Sequence, residues 1–334
     1  MGTEVNRLLV GVDIGGTKTA VVLSKEPPHI LWRAEFATLP QQGPEHALRK
    51  ITDLMRRGLA ESGGDLSSIG VSCGGPLDRI RGIVQRPPNL PTWDGVPVKA
   101  LLEGEFGVPC ALENDANAGA VAEHRFGAGR GCRHLVFLTL GTGLGAGLIL
   151  NGEIFRGASG MAGEIGHVRL TDGGPHGYNK AGSVEGWASG GGMVQHAAET
   201  IRTAIASGEP TTLADRLATL TARDIGLALV EGDAVAARIV EHTGCRLGQA
   251  LAVLVDILNP ERIVIGGLAL RFGEHLLEPA RRSMQAEALP SSAAACSILP
   301  AELGERIGDV AAICIAMDPH GAESIHSGED AVIW

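Results

Sequence analysis

The sequence predicts an α/β chain arranged as two related lobes. Two stretches with one plan lead to that expectation: Leu8 to Leu23, LLVGVDIGGTKTAVVL, and Leu135 to Leu150, LVFLTLGTGLGAGLIL. In each, an apolar run suited to a buried strand meets a short glycine-bearing turn and then a second apolar run. Gly141 in the second turn stands 126 positions after Gly15 in the first (141 − 15). A hairpin repeated at that spacing points to two lobes, each offering a glycine-rich turn to one cleft. Strand-like runs and helical patterns alternate through the rest of the chain.

The first hairpin carries the chemistry of an anion site. Asp13 interrupts an apolar strand just before the turn, where a lone carboxylate is costly to bury unless a metal or a donor binds it. Gly15 and Gly16 let backbone N–H groups approach an anion, and Thr17, Lys18 and Thr19 add donors. The turn therefore reads as a phosphate cradle, with Asp13 placed to hold the accompanying Mg²⁺, directly or through water. A plain hairpin with a capped turn fits these residues equally well. The second turn, Gly141-Thr142-Gly143, shifts the balance, because two facing turns would grip a triphosphate from both sides. No G-x-x-x-x-G-K-[ST] occurs, which excludes a P-loop. A dinucleotide fingerprint at Gly141 needs a helix next, whereas Leu148-Ile149-Leu150 followed by Asn151-Gly152 is a strand and a hairpin turn.

Length and composition set the wider bounds. The 334 residues allow two domains with ample core. Apolar residues make up 44% and charged residues 20%, the balance of a soluble globular protein. A net charge of −10 argues against a nucleic-acid partner. The start of the chain, with Glu4 and Arg7, lacks an apolar signal segment, and glycines break every apolar run before it reaches membrane-spanning length. The six cysteines are scattered with no C-x-C or C-x-x-C pair, which suits reduced thiols in a cytoplasmic protein.

The remaining elements follow in order. Ile30 to Phe36 reads as a third strand. Pro44 to Ser62 reads as a helix, with Leu48, Ile51, Leu54, Met55 and Leu59 on one face. Ile69 to Cys73 is a short strand that runs into the loop Gly74 to Asp78, where Gly75 lets a ligand approach the backbone. Gln85 to Trp93 is an extended loop in which Asn89 serves either a hydroxyl or a turn. Val108 to Leu112 is a strand, and Ala116 to Phe126 has helix composition. Asn114 and Asp115 therefore stand where a strand ends and a helix begins. Both residue types suit an N-cap, and a carboxylate at that point, turned to the cleft, would accept the proton of an attacking hydroxyl.

Glu164 and His167 lie three apart among glycines, a pattern that more often faces solvent than a ligand. Asp172 to Ser183 reads as a flexible loop, and Glu185 precedes an amphipathic run. Ser189 to Gly192 leads into a helix over Met193 to Ile205. Ala214 to Val255 is mostly helical. Ile263 to Ile265 is a strand ending at Gly266-Gly267, another turn that admits a ligand. Ile307 to Met317 is a short apolar helix, and a polar, loose tail follows.

Five motifs in order, DIGGTK, ENDANA, LGTGLGAG, GEIGH and NPERIVIGG, resemble the ROK family of sugar kinases and repressors. That family lies within the actin–hexokinase–Hsp70 superfamily. The likeness runs from Leu8 to about Met317. It implies two lobes of the ribonuclease-H-like, actin-like ATPase type, with ATP and sugar in the cleft between them. The lobes would comprise residues 1–115 with 306–320, and 116–305, leaving 321–334 as the tail.

The resemblance also implies roles. Asp115 falls on the base that takes the proton of a sugar hydroxyl, usually that on carbon 6. Gly75, Asn114, Glu164, His167 and Glu185 fall on sugar-binding positions, and Asn89, from its own loop, is a further candidate for a sugar hydroxyl. Gly15, Gly16, Thr17, Lys18, Gly141, Thr142 and Gly143 fall on the ATP-phosphate loops, with Asp13 near Mg²⁺, and Gly266 and Gly267 near the adenosine. The family's assemblies favour a homodimer or homotetramer, while the acidic charge and the broken apolar runs speak against nucleic acid and membrane as partners.

One departure is large. The family's C-x-C-G-x-x-G-C, whose cysteines bind zinc together with the His of the GH motif, is here His176-Gly-Tyr178-Asn-Lys-Ala-Gly182-Ser183. No structural zinc is expected, and hydrogen bonds from Tyr178 and Ser183 would order the loop instead. The expected activity is ATP-dependent phosphorylation of a hexose or N-acetylhexosamine, with glucose, N-acetylmannosamine, allose and fructose all fitting two Glu, one His and one Asn. The alternative is a non-catalytic sugar sensor. A repressor of the family would carry a helix-turn-helix ahead of Leu8, where this sequence has seven residues.

Overall fold

This computed structural model describes residues 7–319, so the 321–334 tail lies outside the described residues. Contacts divide the chain into two units. One holds the described residues up to Ala122 and those from Glu305 on; the other is Glu123–Gly304.

In the first unit the opening hairpin forms as strands β1 (Arg7–Ile14) and β2 (Lys18–Ser24), followed by β3 (Trp32–Ala37). Helix α1 covers Pro44–Ser62 and β4 covers Asp65–Cys73. A small sheet of β5 (Leu77–Asp78), β6 (Ile83–Gln85) and β7 (Asp94–Val96) precedes α2 (Val98–Phe106). Strand β8 (Cys110–Asn114) then runs directly into α3 (Asp115–Phe126). The main sheet has the order β3-β2-β1-β4-β8. β1 pairs antiparallel with β2 and parallel with β4, and β4 pairs parallel with β8. The carboxyl ends of three parallel strands therefore lie side by side, which in α/β sheets is where ligand loops collect.

The second unit repeats the hairpin as β9 (Leu135–Leu140) and β10 (Leu144–Leu150), extended by β11 (Glu153–Phe155). Asn151 and Gly152 take φ of 57° and 87°, the left-handed pair that a two-residue hairpin turn requires. The 172–183 segment is not the flexible loop expected. It contains a hairpin of β12 (His176–Gly177) and β13 (Lys180–Ala181). The helices α4 (Val184–Ala188), α5 (Gly190–Ser207), α6 (Ala222–Val230) and α7 (Ala234–Leu258) follow. Strand β14 (Arg262–Gly267) runs through both glycines that had been read as a turn. After it come α8 (Leu268–Phe272), α9 (Glu274–Glu287), α10 (Pro290–Ala295) and β15 (Ser297–Pro300). The sheet order is β11-β10-β9-β14-β15. Its core joins Val136 and Leu138 of β9 to Met193 and Ile201 of α5 and Leu247 and Leu251 of α7.

The last helix, α11 (Ile307–Met317), belongs to the first unit. Leu8, Val10, Val12 and Ile14 of β1 share a buried cluster with Ile51 and Met55 of α1, each side chain contributing about 1.5–3 kcal/mol. Gly11 of β1 approaches α11, as does its register partner Gly70 of β4. A Cβ on Gly70 would stand 2.2 Å from the Ala312 carbonyl oxygen, and one on Gly11 would stand 2.9 Å from the Ala312 Cβ. The helix backbone thus rests directly on the sheet at two glycines, and Ser68 fastens it by donating to the Ala316 carbonyl at 2.6 Å. All six cysteines are free thiols, four of them buried. Among the described residues no helix is long and apolar enough to cross a membrane.

Candidate active site

In the first unit the strand register brings the predicted residues together. Asp13 of β1 lies beside Ser72 of β4, and Ser72 lies beside Glu113 of β8. One residue further on, Cys73 pairs with Asn114. Asn114 takes the cap role, its Oδ1 accepting the N–H groups of Ala116 at 3.0 Å and Asn117 at 3.3 Å. Asp115, the first residue of α3, stays open to solvent and accepts the Ala116 N–H at 2.8 Å. A Cβ on Gly75 would stand 3.3 Å from Asn114 Nδ2. One on Gly74 would stand 3.5 Å from Asn89 Nδ2 and 3.8 Å from Asp115 Oδ2, so these side chains converge on the Gly74-Gly75 loop.

The first glycine turn is built for close approach. Neither Gly15 nor Gly16 has a left-handed φ. Gly16 packs on the loop that carries Asn89 instead, because a Cβ there would stand 2.7 Å from Asn89 Cβ. The Gly15 N–H closes the turn on the Lys18 carbonyl at 3.0 Å. Thr38 pins it, with Oγ1 donating to the Gly15 carbonyl at 2.7 Å and its N–H to the Thr17 carbonyl at 3.0 Å. Thr17 is exposed, and the Lys18 ammonium lies on the outside of the sheet, 3.6 Å from Glu35.

Electrostatically this corner is short of positive charge. Burial, then the neighbouring Asp115 and Asp309, push the Asp13 carboxyl up to about 6 against a hydrogen bond from Ser72. Burial also pushes Asp115 up, with the Ala116 N–H pulling the other way; its carboxylate is reachable by water yet crowded by protein. Asp309 is occupied by Arg33, whose Nε donates to it at 2.7 Å. Burial, then the charges of Asp115 and Asp13, push the Cys73 thiol up, so it is an inert neighbour.

In the second unit the other predicted residues gather around the second turn. The Gly141 N–H donates to the Gly143 carbonyl at 3.0 Å. The carbonyls of Gly141 and Thr142 accept the Gly190 and Gly191 N–H groups at 2.8 and 3.2 Å, which seats the turn on the start of α5. Glu185, in α4, accepts the Leu144 N–H at 3.0 Å through Oε2. Glu164 precedes a short 3₁₀ turn, Ile165–His167, and its side chain is exposed. His167 packs against the Tyr178 ring with centroids 4.8 Å apart. Gly267 has φ of 64°, and a Cβ there would stand 2.1 Å from the Leu140 carbonyl oxygen, so only glycine fits. Gly266 lies beside Thr139 in register. A cavity of about 660 Å³ in the same unit, lined by Trp187, Gln195, His196, Arg238 and His242 among others, contains none of these residues.

The ROK family model matches residues 9–318. The chain belongs to the ROK family. A glucokinase from Halalkalibacterium halodurans is 35% identical, over 91% of this chain and 93% of its own length. A ROK family glucokinase from Streptomyces griseus, solved in complex with glucose and AMPPNP, is 33% identical with a TM-score of 0.76, covering 93% of this chain and 99% of its own. A putative xylose repressor from Caldicellulosiruptor is 30% identical over 84% of this chain and 71% of its own length.

Within this ROK chain the donor set around His167 does not suit zinc. The 168–183 segment contains no thiolate, and among the described residues no cluster of three His, Cys, Asp or Glu side chains forms a metal site. Asp13, by contrast, suits a divalent cation, because its carboxyl is raised first by burial and then by the like-charged Asp115 and Asp309, and a cation would offset both. Of the two residues expected to order the loop, Ser183 does so through a hydrogen bond, its Oγ donating to the Gly177 carbonyl at 3.4 Å while accepting the Gly186 N–H at 3.1 Å as the cap of α4. Tyr178 acts through its ring. Several contributors escape a reading of the sequence: Thr38 and Gln195, which make long-range bonds, and Asp309, which neighbours Asp13 from the other end of the chain. Glu113 escapes it too. It accepts the Asn114 N–H at 2.9 Å and the Asn117 Nδ2–H at 3.1 Å.

Proposed function

We propose that this chain transfers the γ-phosphate of ATP to a hydroxyl of a hexose or N-acetylhexosamine, with the 6-hydroxyl as the acceptor. The observation that carries the reading is Asp115. It is a solvent-reachable carboxylate with a raised pKa at the head of α3, beside Asn114 and the Gly74-Gly75 loop. A raised value brings a carboxylate closer to neutrality and makes it a better acceptor of a hydroxyl proton. The glucokinase names of relatives above 30% identity support the same reaction class.

In this reading Asn89, Asn114, Glu164, His167 and Glu185 hold the sugar by hydrogen bonds, and Gly75 leaves room for it. Residues 15–18 and 141–143 hold the triphosphate, with Gly266 and Gly267 at the adenosine. Phosphoryl transfer asks the protein mainly for positioning and charge stabilisation. Asp115 takes the proton from the acceptor hydroxyl as its oxygen bonds to the γ-phosphorus, and the bridging oxygen leaves with ADP. Asp13 would hold Mg²⁺, directly or through water, and the ion would neutralise charge on the phosphates. A cytoplasmic homodimer or homotetramer belongs to the same proposal.

The test is ADP release on a panel of hexoses and their N-acetylamino forms, with Asp115→Asn alongside. Turnover of one sugar, lost in the variant, supports the proposal. Sugar binding without ADP release in the wild type would mark a sensor and overturn it.

A further inference from the structure

Tyr178 and Asn179 form the turn of the β12–β13 hairpin with φ of 45° and 64°. Asn adopts a left-handed backbone readily, but Tyr does so uncommonly, because its Cβ crowds the following carbonyl. An unfavourable conformation persists where the surroundings impose it. Here it carries the Tyr178 ring to the His167 imidazole, 4.8 Å between centroids with the planes at 69°, an edge-to-face packing.

The other hairpin contacts serve the same segment. Lys180 donates Nζ to the His167 carbonyl at 2.7 Å. The Val184 N–H donates to the Val168 carbonyl at 2.8 Å. At its opposite edge the hairpin is clasped to α5 by Gln195, whose Oε1 accepts the His176 N–H at 2.8 Å while its Nε2 donates to the His176 carbonyl at 2.9 Å. Trp187 of α4 secures the approach to the hairpin, its Nε1 donating to Thr171 Oγ1 at 2.8 Å. One edge is thus anchored to helices, and the turn presses on the side chain of His167.

We propose that Tyr178 is a positioning residue for the sugar site. Its ring, held by a strained turn and the Gln195 clasp, fixes the orientation of the His167 imidazole without any metal. The proposal rests on the sugar-kinase reading for the role of His167. The contact between the two rings stands independently of that reading.

Two variants separate ring, hydroxyl and backbone. Tyr178→Phe keeps the ring. Tyr178→Asn removes it and supplies a residue better suited to the left-handed turn, so the hairpin itself is not weakened. With the sugar that the wild type turns over best, Tyr178→Phe should match the wild type. Tyr178→Asn should raise the sugar KM about tenfold, with kcat within about twofold and the ATP KM unchanged. Its Tm should equal or exceed that of the wild type, while amide exchange over residues 164–168 becomes faster. A wild-type sugar KM or unaltered exchange in Tyr178→Asn would overturn the proposal. So would a Phe variant as impaired as the Asn variant, which would make the hydroxyl a direct contact, or a joint collapse of Tm, kcat and KM, which would make the role merely structural. If the wild type phosphorylates no sugar, the kinase reading fails by itself, and the exchange comparison still decides whether Tyr178 restrains His167.

Discussion

Gly143 and Glu185 are in contact. A Cβ on Gly143 would stand 2.8 Å from Glu185 Oε2, the same oxygen that accepts the Leu144 N–H at 3.0 Å. A carboxylate proposed for the sugar is therefore seated against a turn proposed for phosphate. Gly143→Ala should displace Glu185 by a few tenths of an ångström and raise the KM values for sugar and ATP together. A fall of about tenfold in kcat/KM for each is expected in steady-state kinetics. A change in the ATP parameter alone would show that the two functions are not joined through this contact.

Asp115→Asn removes the proton acceptor but keeps the size of the side chain. Turnover should fall by on the order of 10²–10⁴-fold. Sugar affinity, measured by calorimetry without nucleotide, should stay within about threefold of the wild type. Retention of full turnover would remove Asp115 from the base role.

Asp13 ties stability to pH. Its carboxyl is raised from 3.8 to about 6 in the folded protein. Between those values the folded chain keeps a proton that the unfolded chain has lost. Stability from this group is therefore complete below about pH 4 and declines as pH rises through about 6. The shift corresponds to roughly 3 kcal/mol. In buffer free of divalent cations, Asp13→Asn should melt higher than the wild type at pH 7.5, and the gain should vanish near pH 4. Added Mg²⁺ should narrow the gap at pH 7.5 by stabilising the wild type alone. Equal melting curves across the range would show that Asp13 is not held in an unfavourable charged form.

The purified protein should contain no stoichiometric zinc by elemental analysis, and chelation should leave its Tm unchanged. The hairpin at 176–181 is held through hydrogen bonds by Gln195, by Lys180 and by Ser183, whose Oγ donates to the Gly177 carbonyl at 3.4 Å. One tightly bound zinc per chain would require a different account of that hairpin.

Much of this molecule was legible where the signal is local. The paired hairpins announced themselves by apolar runs around glycine, and Pro44–Ser62 by its helical stripe. Asn114 and Asp115 were found because a strand-like run meets a helix-like one between them. The β12–β13 hairpin was missed because two-residue strands show no alternation and its turn carries Tyr and Asn where glycine is the usual marker. Contacts between distant positions left no local trace. Gly308 is one: a Cβ on it would stand 2.2 Å from Asp13 Oδ2, although nearly the whole sequence separates the two. Thr38 on the first turn is another.

The glycine seat under α11 bears on how the polypeptide is made. Gly11 and Gly70 leave the ribosome well before Ala312, which rests on them and follows Gly11 by 301 positions (312 − 11). Until then the glycine face of β1 and β4 lacks the helix that rests on it. The first unit therefore cannot complete its core until the whole of Glu123–Gly304 has been synthesised, and a chain that stops shortly before Ile307 lacks the helix that covers this sheet.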